Sequence, residues 1–250
     1  MLKLNNWTPE QVMDRWEALR AVKNLMGKYV NCLLLNRQGE IWDLFWSRTK
    51  EDVSLGLNNG YYTGPAAVAG YYGAMAVGNM KKAKLLQRAL PEQLGTLTDR
   101  ELYGVGPFHV HPLGSPVIEV AEDGRTAKGI WHCMGAYADV KEEGPTSSWL
   151  WGYYAGDFIL EDGSWRIWHL LYLRDVDRTC GQSWGEDAAV PEALPEFEEL
   201  SGFSLPAPTV EKDLRELYSP RRPFTAPPRI PEPYTTFADT FSYGAEGGIL

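Results

Sequence analysis

Hydrophobic positions near the start of the chain follow the repeat of an α-helix. They recur at steps of three and four residues, which places them on one helix face; they are Val12, Trp16, Leu19, Val22, Met26, Tyr29 and Leu33. Before them, Thr8 and Gln11 form a capping box and Pro9 suits the first helical position. The pattern predicts a helix to about Leu35, followed by a short helix over residues 40–46.

Strand signals follow the two helices. Residues 52–57 and 61–63 predict two strands joined by an Asn-Asn-Gly turn. A Gly-Pro pair then opens a third helix, which the pattern predicts over residues 64–77. Residues 78–106 mix helical segments with a proline break, and we expect them to form a helical insertion or lid.

The chain then changes to long strand-forming segments. Their bounds are residues 108–120, 126–140, 148–160 and 165–176. Turn sequences that contain Asp-Gly or Gly-Pro separate consecutive segments, which is typical of antiparallel hairpins. Helices first and an antiparallel meander later predict an α+β fold with the helices on one face of a curved sheet.

The end of the chain has a different composition. From residue 185 onward it is rich in proline, which prevents regular packed helices or sheets; these prolines are Pro191, Pro195, Pro206, Pro208, Pro220, Pro223, Pro227, Pro228, Pro231 and Pro233. Aromatic residues such as Phe203, Tyr234 and Tyr243 make the segment too apolar for simple disorder. We therefore expect a domain over residues 1–184 and, over 185–250, an extended arm wrapped over it or over a neighbouring subunit.

Composition limits the class of partner. The chain has 250 residues, of which 44% are hydrophobic, and its formal net charge is −9, which argues against a nucleic-acid or anionic membrane surface. No segment approaches the roughly 18 to 20 consecutive apolar residues of a membrane span, and no secretory signal pattern is found. Cys32, Cys133 and Cys180 are odd in number and follow no metal or disulfide spacing. We expect a soluble, cytoplasmic protein.

Aromatic content and histidine spacing indicate a small-molecule pocket. The chain has 10 Trp and 13 Tyr but only 4 His, and amphipathic rings suit a site for a flat, apolar ligand. His109 and His111 alternate on a predicted strand, so both rings point to one face. Such a pair can bind metal, but the positions where a third, carboxylate ligand is wanted are Gly114 and Ser115. We therefore predict no metal.

The order of these elements resembles the SnoaL-like, nuclear-transport-factor-2-like superfamily. The resemblance covers about residues 8–178 and rests on the segments KYVNCL at 28–33, WDLF at 42–45, GSPVIEV at 114–120, TAKGIW at 126–131, WRIW at 165–168 and YLR at 172–174. It implies a cone-shaped, curved antiparallel sheet, an α+β barrel, closed by N-terminal helices around a deep apolar pocket. The helical insertion and the C-terminal arm lie outside the resemblance.

Within that superfamily the chain looks most similar to lyases of the bile-acid 7α-dehydratase and scytalone dehydratase type. These are cofactor-free enzymes that eliminate water from bulky hydroxylated rings. The resemblance implies catalytic roles for Tyr29, His111, His132 and Arg174. The carboxylate that these enzymes carry shortly after the tyrosine is absent, because residues 34–36 are Leu-Leu-Asn. Related lyases that release formaldehyde from lignin-derived diaryl propanoids suggest a second type of substrate.

The chemistry of these side chains agrees with elimination. The reaction needs a base, an acid for the leaving oxygen and a group that holds developing negative charge; imidazole, phenol and guanidinium supply these functions. We therefore expect a cofactor-independent lyase that removes water or formaldehyde from a bulky hydroxylated aromatic or polycyclic compound, such as a diaryl propanoid or a steroid. Substrate contacts are predicted for Asn36, Trp42, His109 and Tyr172.

Other interpretations stay open on the sequence. The same fold supports isomerases, polyketide-type cyclases and non-catalytic binding or assembly modules. Tyr29 also fits an ordinary core position, and Arg174 also fits a structural ion pair with Asp175 or Asp177. His169 and Arg174 are an odd number of residues apart on one predicted strand, so their side chains point to opposite faces of the sheet. We therefore place His169 on the outer sheet face or at a subunit interface. A homo-oligomer that exchanges C-terminal arms is expected, with neither nucleic acid nor membrane as partner.

Overall fold

The computed structural model describes residues 7–141, 144–181, 205–223 and 225–247. Their main helices are α1 (Pro9–Leu34), α2 (Ile41–Phe45), α3 (Pro65–Ala89) and α4 (Pro91–Leu94). The strands are β1 (Ser54–Leu57), β2 (Gly60–Thr63), β3 (Phe108–Val110), β4 (Leu113–Val120), β5 (Thr126–Lys141), β6 (Gly144–Glu161), β7 (Ser164–Thr179) and β8 (Val210–Glu211). Part of the predicted arm, residues 185–204, lies outside the described residues.

The strands form one curved sheet, which confirms the predicted α+β fold. Its order is β3-β5-β6-β7-β1-β2-β8, and β4 also pairs with β5. The long hairpins of β5, β6 and β7 are antiparallel as predicted, whereas β1 runs parallel to β7. This parallel pairing brings the early β1–β2 hairpin beside the last long strand, so the first and last parts of the domain share one sheet.

Helix α1 begins as its sequence predicts. Thr8 accepts a hydrogen bond from the backbone of Gln11, and the Gln11 side chain accepts one from the backbone of Thr8, which completes the capping box. Val22 and Met26 are fully buried on the face that packs against the sheet. The same face carries Tyr29 into the interior near the end of the helix.

Two element predictions were wrong. Helix α3 continues to Ala89 instead of ending near Val77, because no proline interrupts it before Pro91. The expected insertion is therefore partly the second half of this helix. The single strand predicted over residues 108–120 is two strands, because Pro112 has no N–H to donate to the sheet.

Both faces of the sheet carry a hydrophobic core. On the inner face, Trp131, Tyr154 and Leu170 pack with the helices in the larger hydrophobic core. On the outer face, a second core forms where the arm covers the sheet, and it contains Tyr61, Ile130, Tyr153, Ala155, Leu171, Leu173, Leu214 and Tyr243. The arm also adds strand β8 to the edge of β2. It thus behaves as part of the folded domain.

A buried ion pair lies beneath the arm on the outer face. Lys128 Nζ is 2.6 Å from Asp157 Oδ1, and neither side chain is exposed to solvent. Asp157 Oδ2 lies 2.8 Å from His169 Nδ1 and accepts hydrogen bonds from Ser242 Oγ and the Tyr243 backbone N–H. His169 is therefore on the outer face, as its parity predicts. Aromatic rings of the arm surround the ammonium group; they belong to Tyr234, Phe237, Phe241 and Tyr243.

We expect Asp157→Ala to destabilise the protein strongly, because it leaves the Lys128 charge buried without a partner. The expected loss in the free energy of unfolding is about 3–5 kcal/mol, measured by urea denaturation. The double variant Lys128→Met/Asp157→Leu removes both charges and should unfold closer to the wild type. A single variant as stable as the double would show that this ion pair is solvated.

Candidate active site

A cavity of about 780 Å³ lies between helices α1 and α3 and the inner face of the sheet, and the arm contributes to its wall. This volume falls within the range of roughly 300–1,000 Å³ that small-molecule sites occupy. Its wall is rich in phenol rings, which are Tyr29, Tyr62, Tyr71, Tyr72, Tyr137, Tyr154 and Tyr172. Arm residues 205–208 complete one side. The predicted aromatic pocket is therefore present in the fold.

His111 follows strand β3 and lines this cavity. Its side chain is buried, and Nδ1 lies 2.6 Å from Tyr154 Oη. Among the described residues no polar group reaches the buried Nε2. Burial, reinforced by the nearby His109 and Arg174, lowers the pKa of His111 to about 3. The imidazole is therefore neutral at physiological pH.

The partner of Nδ1 determines which nitrogen of His111 carries the proton. Tyr154 Oη is buried, and within the described parts of the chain it has no hydrogen-bond partner except His111. Burial raises the pKa of Tyr154 well above its usual value, so its hydroxyl stays protonated. A hydroxyl with one partner satisfies its hydrogen by donating to it. Tyr154 thus donates to Nδ1, and Nε2 of His111 is left as an N–H donor.

His109 lines the same cavity, as the alternation of side chains predicts. Its ring lies 6.3 Å from that of His111 and 4.7 Å from that of Tyr137, centroid to centroid. Burial lowers the pKa of His109 to about 4, although the carboxylate of Asp139 opposes this shift. Two neutral imidazoles therefore occupy one wall.

Arg174 and Tyr172 reach the cavity from strand β7. The backbone of Arg174 is held by Asn58, whose amide exchanges two hydrogen bonds of 2.8 Å with it. Beside Arg174, strand β7 has a bulge, because its residue Asp175 has no partner between the pairs Trp151–Val176 and Gly152–Arg174. At Gly152 of β6, a Cβ atom would lie 1.9 Å from the carbonyl oxygen of Leu173. Only glycine fits there, so local sequence helps to set the position of the guanidinium group.

The phenols of the cavity are neutral hydrogen-bonding groups. Tyr29 and Tyr72 share a hydrogen bond of 2.9 Å between their hydroxyl groups. Tyr172 stacks on Tyr154 with ring centroids 4.5 Å apart, and no described residue pairs with its buried hydroxyl. Burial raises the pKa of each of these tyrosines above the usual value. They can donate to a ligand oxygen but do not supply a phenolate at neutral pH.

The structure brings together Tyr29, His109, His111, Tyr172 and Arg174 of the predicted site residues. The sequence left open a structural role for Tyr29, as an ordinary core residue, and for Arg174, as part of an ion pair. Arg174 does pair with an aspartate, because its Nη1 contacts Asp177 Oδ2. That contact and a place in the cavity wall are compatible, since both side chains line the cavity.

The placement of His132 and Trp42 in the site was wrong. His132 points to the outer face of β5, where it is exposed and lies beside the Tyr153 ring, because its neighbour Trp131 occupies the inner face. Trp42 stacks on Trp46, with ring centroids 6.3 Å apart, and does not line the cavity. Neither residue lines the cavity that contains His111.

Asn36 is also absent from the cavity wall, although it is buried. Its amide donates hydrogen bonds to the backbone oxygens of Tyr103 and Pro107, and its oxygen accepts one from Asn79. Its φ of 52° is a left-handed conformation that asparagine tolerates well. Asn36 therefore fixes the segment that leads into β3 and His109, which corrects its predicted role in substrate contact.

Several cavity residues were missed by the sequence analysis. Tyr154 is the most important, because it is the partner of His111; Tyr71, Tyr72 and Asn79 of helix α3 also line the wall. Side chains alternate along a predicted strand, so Tyr154 and its neighbour Tyr153 point to opposite faces, and both are tyrosines. Sequence alone does not tell which of two neighbouring tyrosines points inward.

No group of three His, Cys, Asp or Glu side chains that could hold a metal ion occurs among the described residues. In the same part of the chain, no helix is long and apolar enough to span a membrane. The cavity wall offers a ligand imidazoles, phenols, aliphatic hydroxyls, amides and charged side chains.

Comparisons with solved structures give distant matches. The matching solved structures include a scytalone dehydratase-like protein from Novosphingobium aromaticivorans, with 19% identity, coverage of 67% of this chain and 90% of its own, and a TM-score of 0.46. A hexachlorocyclohexane dehydrochlorinase LinA-type3 from Novosphingobium barchaimii has 14% identity, coverage of 68% and 95%, and a TM-score of 0.44. An NTF2-like protein with a cystatin-like fold from N. aromaticivorans has 16% identity, coverage of 68% and 91%, and a TM-score of 0.40.

No curated protein sequence matches the chain. A family model described as a SnoaL-like domain matches residues 14–170, which include most of helix α1, the cavity wall from His109 to Tyr154 and the first part of strand β7. This match covers most of the chain and agrees with the sheet and helices described above. The chain therefore belongs to the SnoaL-like domain family.

Proposed function

We propose that this protein is a cofactor-independent lyase that eliminates water or formaldehyde from a bulky hydroxylated aromatic compound. The observation that carries the proposal is the buried, unpartnered Nε2 of His111 in a wall of phenol rings. A buried polar group without a partner costs about 1–3 kcal/mol. A ligand oxygen placed against this N–H recovers that cost and receives a hydrogen bond where negative charge can develop.

The two imidazoles have different roles in this proposal. His109 is neutral, and neither of its ring nitrogens has a hydrogen-bond partner among the described residues, so it accepts the proton that leaves the substrate. In the loss of water, the electron pair of the broken C–H bond forms the new double bond, the C–O bond breaks, and protonated His109 returns its proton to the departing hydroxide. In the loss of formaldehyde, the electron pair of the broken O–H bond forms the C=O bond of formaldehyde, the C–C bond breaks, and the proton of His109 goes to the carbon that remains. The N–H of His111 and the guanidinium of Arg174 stabilise the oxygen that gains negative charge. Tyr29 offers a further hydroxyl for a substrate oxygen.

Water and formaldehyde elimination differ in the proton that His109 removes. Loss of water requires a proton on carbon beside the hydroxylated position, whereas loss of formaldehyde requires the proton of a hydroxymethyl group. Incubation with hydroxylated diaryl propanoids and sterols, followed by mass spectrometry of the products, separates the two reactions. Products of unchanged mass would instead support an isomerase or a cyclase, and would contradict the lyase.

A non-catalytic binding protein is the second candidate. It is favoured by one observation, which is that the partner of His111 Nδ1 is a phenol. A carboxylate at that position would make the imidazole more basic, whereas a neutral hydroxyl does not. A protein that binds these compounds in the cavity but never changes their mass would support this candidate over the lyase.

Replacement of His111 tests the central role. We expect His111→Phe to lower kcat/KM by about 100-fold or more, because phenylalanine keeps a ring in the cavity wall but has no N–H. His132→Phe is the matched control, since it changes the same residue type on the outer face. Circular dichroism should show both variants folded. Equal activity of the two variants would contradict the assignment.

The low pKa values predict an unusual pH profile. Histidines with their ordinary pKa of 6.5 would make activity fall as pH drops through that value. Because the pKa of His109 is lowered to about 4, its proton-accepting form persists to lower pH. We expect kcat/KM to stay level between about pH 8 and pH 5 and to decline toward pH 4 as His109 becomes protonated. An inflection near pH 6.5 would contradict this role of His109.

A further inference from the structure

The hydroxyl groups of the tyrosines in the cavity wall differ in their hydrogen bonding. Most of them bond to protein atoms; these belong to Tyr29 and Tyr72, which bond to each other, and to Tyr62, Tyr137 and Tyr154. The hydroxyl groups of Tyr71 and Tyr172 have no hydrogen-bond partner among the described residues. These two phenols are therefore the ones that the described part of the chain leaves without any hydrogen bond.

Tyr71 and Tyr172 stand on different walls of the cavity. Tyr172 is on strand β7, where its ring lies 4.5 Å from that of Tyr154 and 5.0 Å from that of His111, centroid to centroid. It thus belongs to the cluster around His111. Tyr71 is on helix α3, lines the cavity and is partly exposed. A ligand that contacts His111 on the sheet side can therefore also contact a hydrogen-bond donor on the helix side.

The surroundings of Tyr71 are aromatic. Its ring lies 4.7 Å from that of Tyr62 and 5.4 Å from that of Tyr72, between centroids. Pro206 of the arm lines the cavity as well, and its backbone oxygen accepts a hydrogen bond of 2.7 Å from the Tyr62 hydroxyl. We call Tyr62, Tyr71 and Pro206 the α3 subsite. Its surfaces suit an aromatic ring, because aromatic rings pack favourably against one another.

Hydrogen bonds hold the arm in place at the α3 subsite. The backbone N–H of Thr63 donates a bond of 2.8 Å to Thr209 Oγ1, and that hydroxyl donates one of 3.0 Å to the backbone oxygen of Tyr61. Strand β8 then pairs with β2. The subsite is therefore formed before a ligand enters, which lowers the entropy cost of binding.

The hydroxyl of Tyr71 is a hydrogen-bond donor at neutral pH. Burial raises the pKa of Tyr71 above its usual value, and the nearby charge of Arg174 opposes this shift only in part. An apolar ligand group placed against the hydroxyl would leave it without a partner, which opposes binding. A ligand oxygen in the same place accepts the hydrogen bond instead. The α3 subsite thus combines ring surfaces with one donor that favours an oxygen.

We propose that the α3 subsite binds an aromatic ring of the substrate that carries an oxygen atom, and that Tyr71 holds this ring by donating a hydrogen bond to that oxygen. The inference rests on the proposal that the cavity is the substrate site, and it deepens that proposal. The substrate then has a ring with a hydroxyl or methoxy group in addition to the carbon at which His109 and His111 act. Tyr71 is a binding residue that determines specificity, and it takes no part in breaking bonds.

The test uses two probes that differ at one group. Para-phenylphenol and para-methylbiphenyl have the same pair of rings, but the first carries a hydroxyl group where the second carries a methyl group of similar size. Their dissociation constants are measured by fluorescence titration near neutral pH, which needs no turnover. Tyr71→Phe keeps the ring and removes only the hydroxyl. We expect it to weaken binding of the phenol by about fivefold to tenfold, and binding of the methyl probe by less than about twofold.

Tyr103→Phe is the matched control, because Tyr103 is an exposed tyrosine that does not line the cavity. It should leave both dissociation constants unchanged. Tyr71→Met places a flexible apolar side chain at the site and serves as a second variant should Tyr71→Phe fail to fold. It should also weaken binding of the phenol more than binding of the methyl probe.

A loss of affinity that is specific to the phenol and to the Tyr71 variants supports the proposal. The proposal is overturned if both probes lose affinity equally, if the Tyr71 variants bind the phenol as tightly as Tyr103→Phe does, or if neither probe binds the wild type. Failure of the lyase proposal would be seen separately, as this selective binding without any change in the mass of hydroxylated diaryl propanoids.

Discussion

The alternation of side chains along β5, β6 and β7 is the constraint on which the rest of this structure depends. Along much of these strands one face packs toward the cavity and the helices and the other toward the arm, so the alternation of side chains decides which of two hydrophobic cores a buried residue enters. A slip of one residue would exchange Tyr154 with Tyr153 and turn Lys128 toward the cavity. The hydrogen-bonded pairing of these long strands, and the charge hidden on one face only, oppose such a slip.

Burial also determines what chemistry the cavity can perform. Low dielectric surroundings keep both histidines uncharged and the tyrosines protonated, so the wall presents neutral donors and acceptors. Residues 34–36 are Leu-Leu-Asn and supply no carboxylate, and Asn36 binds backbone oxygens of the segment that leads into β3. The hydroxyl of Tyr154 is the hydrogen-bond partner of His111.

The C-terminal arm connects the two interiors. Its first described part lines the cavity, where Tyr62 donates a hydrogen bond to the backbone oxygen of Pro206, and β8 extends the sheet beside it. Its last part covers Lys128 and Asp157 with aromatic rings. Because a buried ion pair needs exclusion of water and complete hydrogen bonding, the arm belongs to the stability of the domain as well as to the shape of the site.

The sequence by itself determined the order and type of the main elements, the family resemblance and the presence of an aromatic pocket, because periodicity and turn residues act locally. It also placed His109 and His111 together, since alternation on one short strand is a local property. It could not decide which of Tyr153 and Tyr154 points inward, or that His132 and Trp42 lie outside the cavity. Those outcomes depend on strand register, on the parallel pairing of β1 with β7 and on how the helices cover the sheet, which are set by contacts between residues far apart in the chain.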